Sequence, residues 1–123
     1  MMNVLIVEDE WIVSEEIKAS VSENGFNVIG QADEGSTALE LIQEIKVDLV
    51  LMDINIKGEV NGIQLARLIQ KNTPCFIIFI SSLDNRNQAS ELKGLNNYDF
   101  LPKPFTVESL YRIFEKHGLN LPR

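Results

Sequence analysis

The chain has 123 residues, 45% of them hydrophobic and 24% charged, which is the size and composition of one globular domain. Its net charge of −7 argues against nucleic-acid binding through a basic face, and its longest apolar run, the six residues 75–80, is far short of the ~20 a membrane span needs. A single cysteine excludes an internal disulfide and fits a reducing cytoplasm, the expected location; Glu8, Asp9 and Glu10 come too early for the apolar segment of a signal peptide.

The predicted elements alternate strand and helix. Asn3–Val7 is a short apolar run and reads as a buried strand. Residues 11–24 follow as an amphipathic helix, with Val13, Ile17 and Val21 at four-residue spacing and Gly25 as the stop. Asn27–Ala32 is a weaker, more polar strand. Residues 36–46 carry Ala38, Leu41, Ile42 and Ile45 at helical spacing, and 47–52 form a third strand, apolar on both faces. A glycine-containing loop leads to a helix over 62–72, ended by Pro74. Residues 75–80 are the most hydrophobic strand. Residues 84–95 make a helix of poor propensity, with Asn85, Asn87 and Gly94. Residues 98–101 are a short fifth strand, and 106–117 a last helix with Val107, Leu110, Tyr111 and Phe114 inward.

Strict alternation of five strands and five helices predicts an α/β fold: one parallel sheet with helices on both faces. The polar second and short fifth strands belong at the edges, and the order 2-1-3-4-5, known for doubly wound sheets, satisfies that, with all of 1–123 in a single domain.

In such a sheet, ligands sit outside the carboxyl ends of the strands. Glu8 and Asp9 follow the first strand, Asp53 the third, Ser81 and Ser82 the fourth, and Lys103 the fifth. The charge is concentrated to match: residues 1–53 hold twelve acids against Lys18 and Lys46, a net of −10, whereas 54–123 carry +3. Three carboxylates in one crevice repel and need compensation. Lys103 and a divalent cation together balance them, and hard oxygen ligands suit Mg²⁺. A carboxylate beside such a metal can act as a nucleophile and become an aspartyl phosphate, with hydroxyl and ammonium groups bonding the new phosphoryl oxygens. Each residue also has a plainer reading: Asp9 as a helix cap, Ser81 and Ser82 as turn residues, Lys103 as a surface lysine. Asp53, ending a buried strand, has no local structural task, and the combination of four strand ends carries the weight.

At these residues the chain resembles the receiver domain of two-component response regulators, chemotaxis regulators among them. The resemblance runs from Asn3 to about Leu119. It rests on Val4-Leu5-Ile6-Val7-Glu8-Asp9-Glu10, Leu51-Met52-Asp53-Ile54-Asn55, Ile80-Ser81-Ser82 and Phe100-Leu101-Pro102-Lys103-Pro104-Phe105. It implies a flavodoxin-like, doubly wound three-layer sandwich. It implies Asp53 as the phosphorylated residue and Mg²⁺ as cofactor. Asp9 would be a direct metal ligand, Glu8 would act through water, and Asn55 would add its backbone carbonyl. Ser81 and Lys103 would meet the phosphoryl group, Phe100 would be the aromatic switch, and the Lys103–Pro104 peptide would be cis. The implied activity is phosphoryl acceptance and slow self-dephosphorylation within a phosphorelay, not classical enzyme catalysis. The implied partners are a histidine kinase or phosphotransfer protein and a downstream protein or output domain, with a homodimer admitted; no nucleic acid or membrane contact is implied for this domain. Switching would act through the surface of the predicted fourth helix, fifth strand and last helix.

Three departures stand out. Lys57 occupies a position where many relatives have Pro, in a slightly extended loop through Gly58 and Gly62. Ser81 replaces the commoner Thr, and Phe100 lacks a tyrosine hydroxyl. Competing readings are a phosphatase of the same topology, for which Asn55 is not the needed acid, and a non-phosphorylated pseudo-receiver used for protein contacts. A flavin-binding domain is disfavoured because Glu8-Asp9-Glu10 would repel a phosphate. Trp11 is expected to pack beside the acidic site, Cys75 to be an inert core thiol, and His117 to place charge at a helix end.

Overall fold

The computed structural model describes residues 2–54, 61–81, 92 and 94–120. Five strands, β1 (Asn3–Val7), β2 (Asn27–Ala32), β3 (Leu49–Asp53), β4 (Phe76–Ser81) and β5 (Tyr98–Pro102), form one parallel sheet in the order β2-β1-β3-β4-β5. The helices among the described residues are α1 (Trp11–Ser22), α2 (Gly35–Glu44), α3 (Gly62–Asn72) and α4 (Val107–Lys116). The predicted order and topology are met. Most of the predicted helix over 84–95 lies outside the described residues, as do Asn55, Lys57 and Ser82.

The two-residue period of the strands divides the core. Leu5, Val7, Val50, Met52, Ile77 and Phe79 face one side and pack with Ala38, Ile42, Ile63, Leu65 and Ile69. Val4, Ile6, Leu49, Leu51, Ile78 and Ile80 face the other and pack with Ile17, Val21, Phe26, Leu110 and Phe114. The central strands are therefore buried on both faces, which is why they read as continuous apolar runs. The edge strand β2 is only partly buried, as its polar sequence implies.

Helix ends differ from expectation by a few residues, each with a local cause. The first helix stops at Ser22 rather than residue 24; Gly25 takes a φ of 88°, and the Phe26 amide turns back to the Val21 carbonyl at 3.1 Å. Thr106 caps α4 instead of beginning it, its hydroxyl accepting from the Ser109 amide at 3.2 Å. Ile45 follows α2 in extended conformation and is partly exposed, not part of its buried face. Asp9 does not cap α1, since Glu10 holds the cap position and no side chain bonds there. Trp11 is 67% exposed, so the expected packing of its ring is not found.

His117 does more than place charge at a helix end. Its Nε2 lies 2.8 Å from Asp99 Oδ2, Lys116 Nζ lies 3.2 Å from the same oxygen, and its ring packs edge-on against Phe76. Burial alone would raise the Asp99 carboxyl, but the bonds from His117, the Phe100 amide and Lys116 outweigh it and hold it below its ordinary value. This clasp ties the end of α4 to β5.

Cys75 precedes β4 and is buried; burial first, then the charge of Asp48, push its thiol up to about 12. Thiolate is the reactive form. In native protein near pH 8, Cys75 is expected to react with a disulfide reagent at least about a hundredfold more slowly than in denaturant. Comparable rates in the two conditions would show that the thiol is open.

Candidate functional site

The site is built where four strands end. Parallel pairing places Asp53 beside Ile80 and Ser81 beside Pro102, so the ends of β3, β4 and β5 are in register. β1 pairs with β3 on its other side, Val7 opposite Met52, which brings the following Glu8 and Asp9 to the same edge. The Lys103 amide donates to the Ser81 carbonyl at 3.1 Å and fixes the turn after β5 against β4. The Lys103–Pro104 peptide is cis, as the resemblance implied.

Asp53 is buried, 5% exposed, and its Oδ2 accepts from Lys103 Nζ at 3.1 Å. The lysine side chain is 40% exposed, so the pair reaches from the crevice to solvent. Burial pulls the Lys103 pKa down, but the bond to Asp53 and the charges of Asp53, Glu8 and Glu10 raise it above its ordinary value, so the cation persists at neutral pH.

Glu8, Asp9 and Asp53 each place a carboxylate oxygen within 4.8 Å of the other two. Glu8 is buried, and its Oε2 accepts from the Glu10 amide at 3.2 Å. Burial raises its pKa from 4.5 to about 7; the Glu10 amide opposes this, and the Asp53 charge with hydrogen bonds to Asp9 and Asp53 reinforces it. Among the described residues Lys103 is the cation at the cluster, and the burial of Glu8 favours its protonated form. The donor set fits Mg²⁺: three hard oxygens, close together, with charge to spare.

Ser81 is fully buried, and its hydroxyl has no hydrogen-bond partner among the described residues. A buried hydroxyl without a partner is costly. Phe100 is half-buried and stacks on Phe79 at 5.4 Å, with Tyr98 edge-on at 6.0 Å. The structure thus brings together Glu8, Asp9, Asp53 and Lys103, and places Ser81 at the neighbouring strand end; Phe100 lies on the adjacent strand opposite Phe79, two residues before Ser81, and Asn55 is outside the described residues.

Sequence reasoning passed over the start of α3. Asn61 Oδ1 accepts from the Gln64 amide at 2.9 Å, and Gln64 Oε1 accepts from the Asn61 amide at 3.1 Å. This reciprocal cap is visible as Asn-x-x-Gln at a helix start. It expected Trp11 to pack and passed over Ile12; the two are 67% and 73% exposed, two and three residues beyond Asp9.

Comparison with known proteins decides the family. The response regulator receiver domain model matches residues 4–115. The chain belongs to that family. Among curated receiver-domain proteins it is 31% identical over 110 residues to the aerobic respiration control protein ArcA of Escherichia coli, a match covering 88% of this chain and 44% of ArcA. It is 28% identical over 117 residues to the chemotaxis protein CheY of Listeria monocytogenes, covering 94% of this chain and 98% of CheY. The receiver domain thus spans less than half of ArcA and nearly all of CheY. Among solved structures, the signal receiver domain of a modulated diguanylate cyclase from Desulfovibrio desulfuricans aligns with a TM-score of 0.83 at 28% identity, over 93% of this chain and 90% of that one. The response regulatory domain of protein mrkE from Klebsiella pneumoniae aligns with a TM-score of 0.76 at 30% identity, over 94% and 93%. The flavodoxin-like architecture of this receiver domain is shared with these neighbours.

Proposed function

We propose that residues 1–123 form a single receiver domain that accepts a phosphoryl group on Asp53 in a Mg²⁺-dependent reaction and passes the signal to a protein partner. The observation that carries this is the cluster of Glu8, Asp9 and Asp53 with Lys103 Nζ 3.1 Å from Asp53.

Glu8, Asp9 and Asp53 would hold the ion, with the Asn55 carbonyl as a further ligand. When bound, Mg²⁺ supplies charge neutralisation for the phosphoryl oxygens. The donor is a phosphohistidine of a histidine kinase or phosphotransfer protein. A carboxylate oxygen of Asp53 forms the new O–P bond as the donor's N–P bond breaks, and the donor imidazole keeps the electron pair and takes up a proton. Lys103 pairs with a phosphoryl oxygen, and the buried Ser81 hydroxyl donates to another. A water in line with the acyl phosphate later reverses the modification. Trp11 and Ile12 give the donor an apolar contact beside the site, within an acidic rim that favours a basic partner surface.

The added charge of about −1.5 to −2 draws Ser81 and Lys103 inward. Movement of Ser81 makes room for Phe100 and alters the face formed by β5, α4 and the predicted fourth helix. That face binds the downstream protein or output domain, or a second copy of the chain. Cytoplasmic location belongs to this reading; among the described residues no helix is long and apolar enough to cross a membrane.

The test is intact mass after incubation with Mg²⁺ and a small phosphodonor, for the wild type and Asp53→Asn. One phosphoryl group on the wild type alone supports the reading. No modification of either, with the metal shown to bind, leaves a pseudo-receiver used for protein contacts. Modification of both places the nucleophile elsewhere.

A further inference from the structure

Gly62 opens α3, and its backbone lies against the end of β3. Its amide donates to the Ile54 carbonyl at 3.1 Å. A Cβ on Gly62 would stand 2.8 Å from Ile54 Cα, 2.8 Å from the Ile54 carbonyl oxygen and 2.9 Å from the Asp53 carbonyl oxygen. All three are backbone atoms, which cannot swing aside as a side chain can. Gly62 does not use a left-handed φ; among the described residues the positive-φ glycines are Gly25, Gly94 and Gly118. Its missing side chain, not its backbone freedom, is what the site requires.

Neither side of this contact can retreat easily. The first turn of α3 is locked by the reciprocal Asn61–Gln64 cap and anchored by buried Ile63, Leu65, Ala66 and Ile69. On the other side, β3 is paired with both β1 and β4, and Asp53 is its last residue. Pairing with β1 ends at Met52 and Asp53 is paired in the sheet with β4 alone, so strain from a larger residue falls on the Asp53–Ile54 backbone.

We propose that Gly62 is a positioning residue for Asp53: close seating of α3 on the Asp53–Ile54 backbone sets where the carboxylate stands relative to Lys103, Glu8 and Asp9. This rests on Asp53 being the phosphoryl acceptor. Acceptance of a phosphoryl group needs the attacking oxygen in line at near-contact distance, and a displacement of ~1 Å costs on the order of a hundredfold in rate. A Cβ at 2.8 Å from backbone forces a shift of several tenths of an ångström.

The experiment compares Gly62→Ala with Gly30→Ala. Gly30 is a matched control: a Cβ there would meet a flexible side-chain tip, Leu41 Cδ1, at 2.9 Å, on edge strand β2. Modification of the wild type and both variants is followed against phosphodonor concentration with Mg²⁺, counting only folded molecules by thermal melt. Gly62→Ala is expected to lower the limiting rate by about tenfold or more with little change in the half-saturating donor concentration, while Gly30→Ala keeps the wild-type rate. In metal-free protein, the amide resonances of Asp53, Ile54 and Lys103 should shift in Gly62→Ala and not in Gly30→Ala. Equal rates per folded molecule for Gly62→Ala and the wild type, or equal slowing in both variants, would overturn the proposal. Should Gly62→Ala not fold, Asn61→Ala/Gln64→Ala decides: the loosened first turn should also slow modification, and a wild-type rate there overturns the idea. If the wild type itself is unmodified, phosphoryl acceptance falls and this proposal with it.

Discussion

Asp53→Asn is expected to abolish phosphoryl acceptance and, in metal-free protein, to raise thermal stability. The first effect is chemical. The amide has no anionic oxygen to form the O–P bond, so modification should fall by at least about a hundredfold. The second is electrostatic. Asp53 stands within 4.8 Å of two other carboxylates and 3.1 Å from one lysine whose side chain is 40% exposed. Repulsion from Asp9, and from Glu8 as it ionises, outweighs the attraction to Lys103, which water partly screens. Asparagine keeps the size of the residue and an acceptor for Lys103 while removing the charge. The gain should be about 1 kcal/mol, a rise of roughly 3–6 °C in Tm for a domain of this length. Added Mg²⁺ should then stabilise the wild type more than the variant, because one ligand charge is gone. A melt series with chelator and with Mg²⁺ checks both parts. A metal-free variant less stable than the wild type would mean that the Lys103 pair dominates the cluster.

Metal-free protein is expected to lose stability as pH rises through neutrality. Glu8 is the cause, since burial, aided by Asp53 and Asp9, lifts its pKa from 4.5 to about 7. Between those values the folded state holds a proton that the unfolded chain has released. Stability is therefore fully present below about pH 4.5 and declines as pH rises through about 7. The full loss should amount to at most about 3 kcal/mol. Asp99 acts with the opposite sign: its lowered pKa makes its contribution disappear as pH falls below the ordinary 3.8, a window well separated from that of Glu8. Saturating Mg²⁺ should flatten the neutral decline, because ligand carboxylates bound to a cation no longer need the proton. Denaturant titrations from about pH 5 to pH 8, with chelator and with Mg²⁺, measure this directly. Stability that rises across that range without metal would remove Glu8 from the buried cluster.

How much of the site could be read in advance depended on the kind of signal. Glu8, Asp9, Asp53 and Lys103 were legible because each directly follows or ends a strongly patterned strand, and a parallel sheet brings strand ends to one edge. Trp11 was misread because local pattern places a helix start but not the empty space in front of it. Gly62 was visible only as a helix opening. Nothing in the run Asn61-Gly62-Ile63-Gln64 tells that the backbone of Asp53 lies within 3 Å of the missing Cβ. The partnership of His117 with Asp99 escaped for the same reason: eighteen residues separate them, and only the packing of α4 along β5 closes the distance to 2.8 Å.

By itself, the sequence determined the alternation of elements, which strands lie at the edges, and the identity of the groups at the carboxyl edge. Those follow from periodicity and apolar content, which are local properties and survive without knowledge of neighbours. Only the tertiary structure decided the 3.1 Å seating of Lys103 on Asp53, the raised pKa of Glu8, the burial of the Ser81 hydroxyl with no partner among the described residues, and the seating of Gly62 on β3. Each of these is a relation between residues far apart in the chain, and its energy depends on distance and on exclusion of water, which exist only once the helices have closed over the sheet.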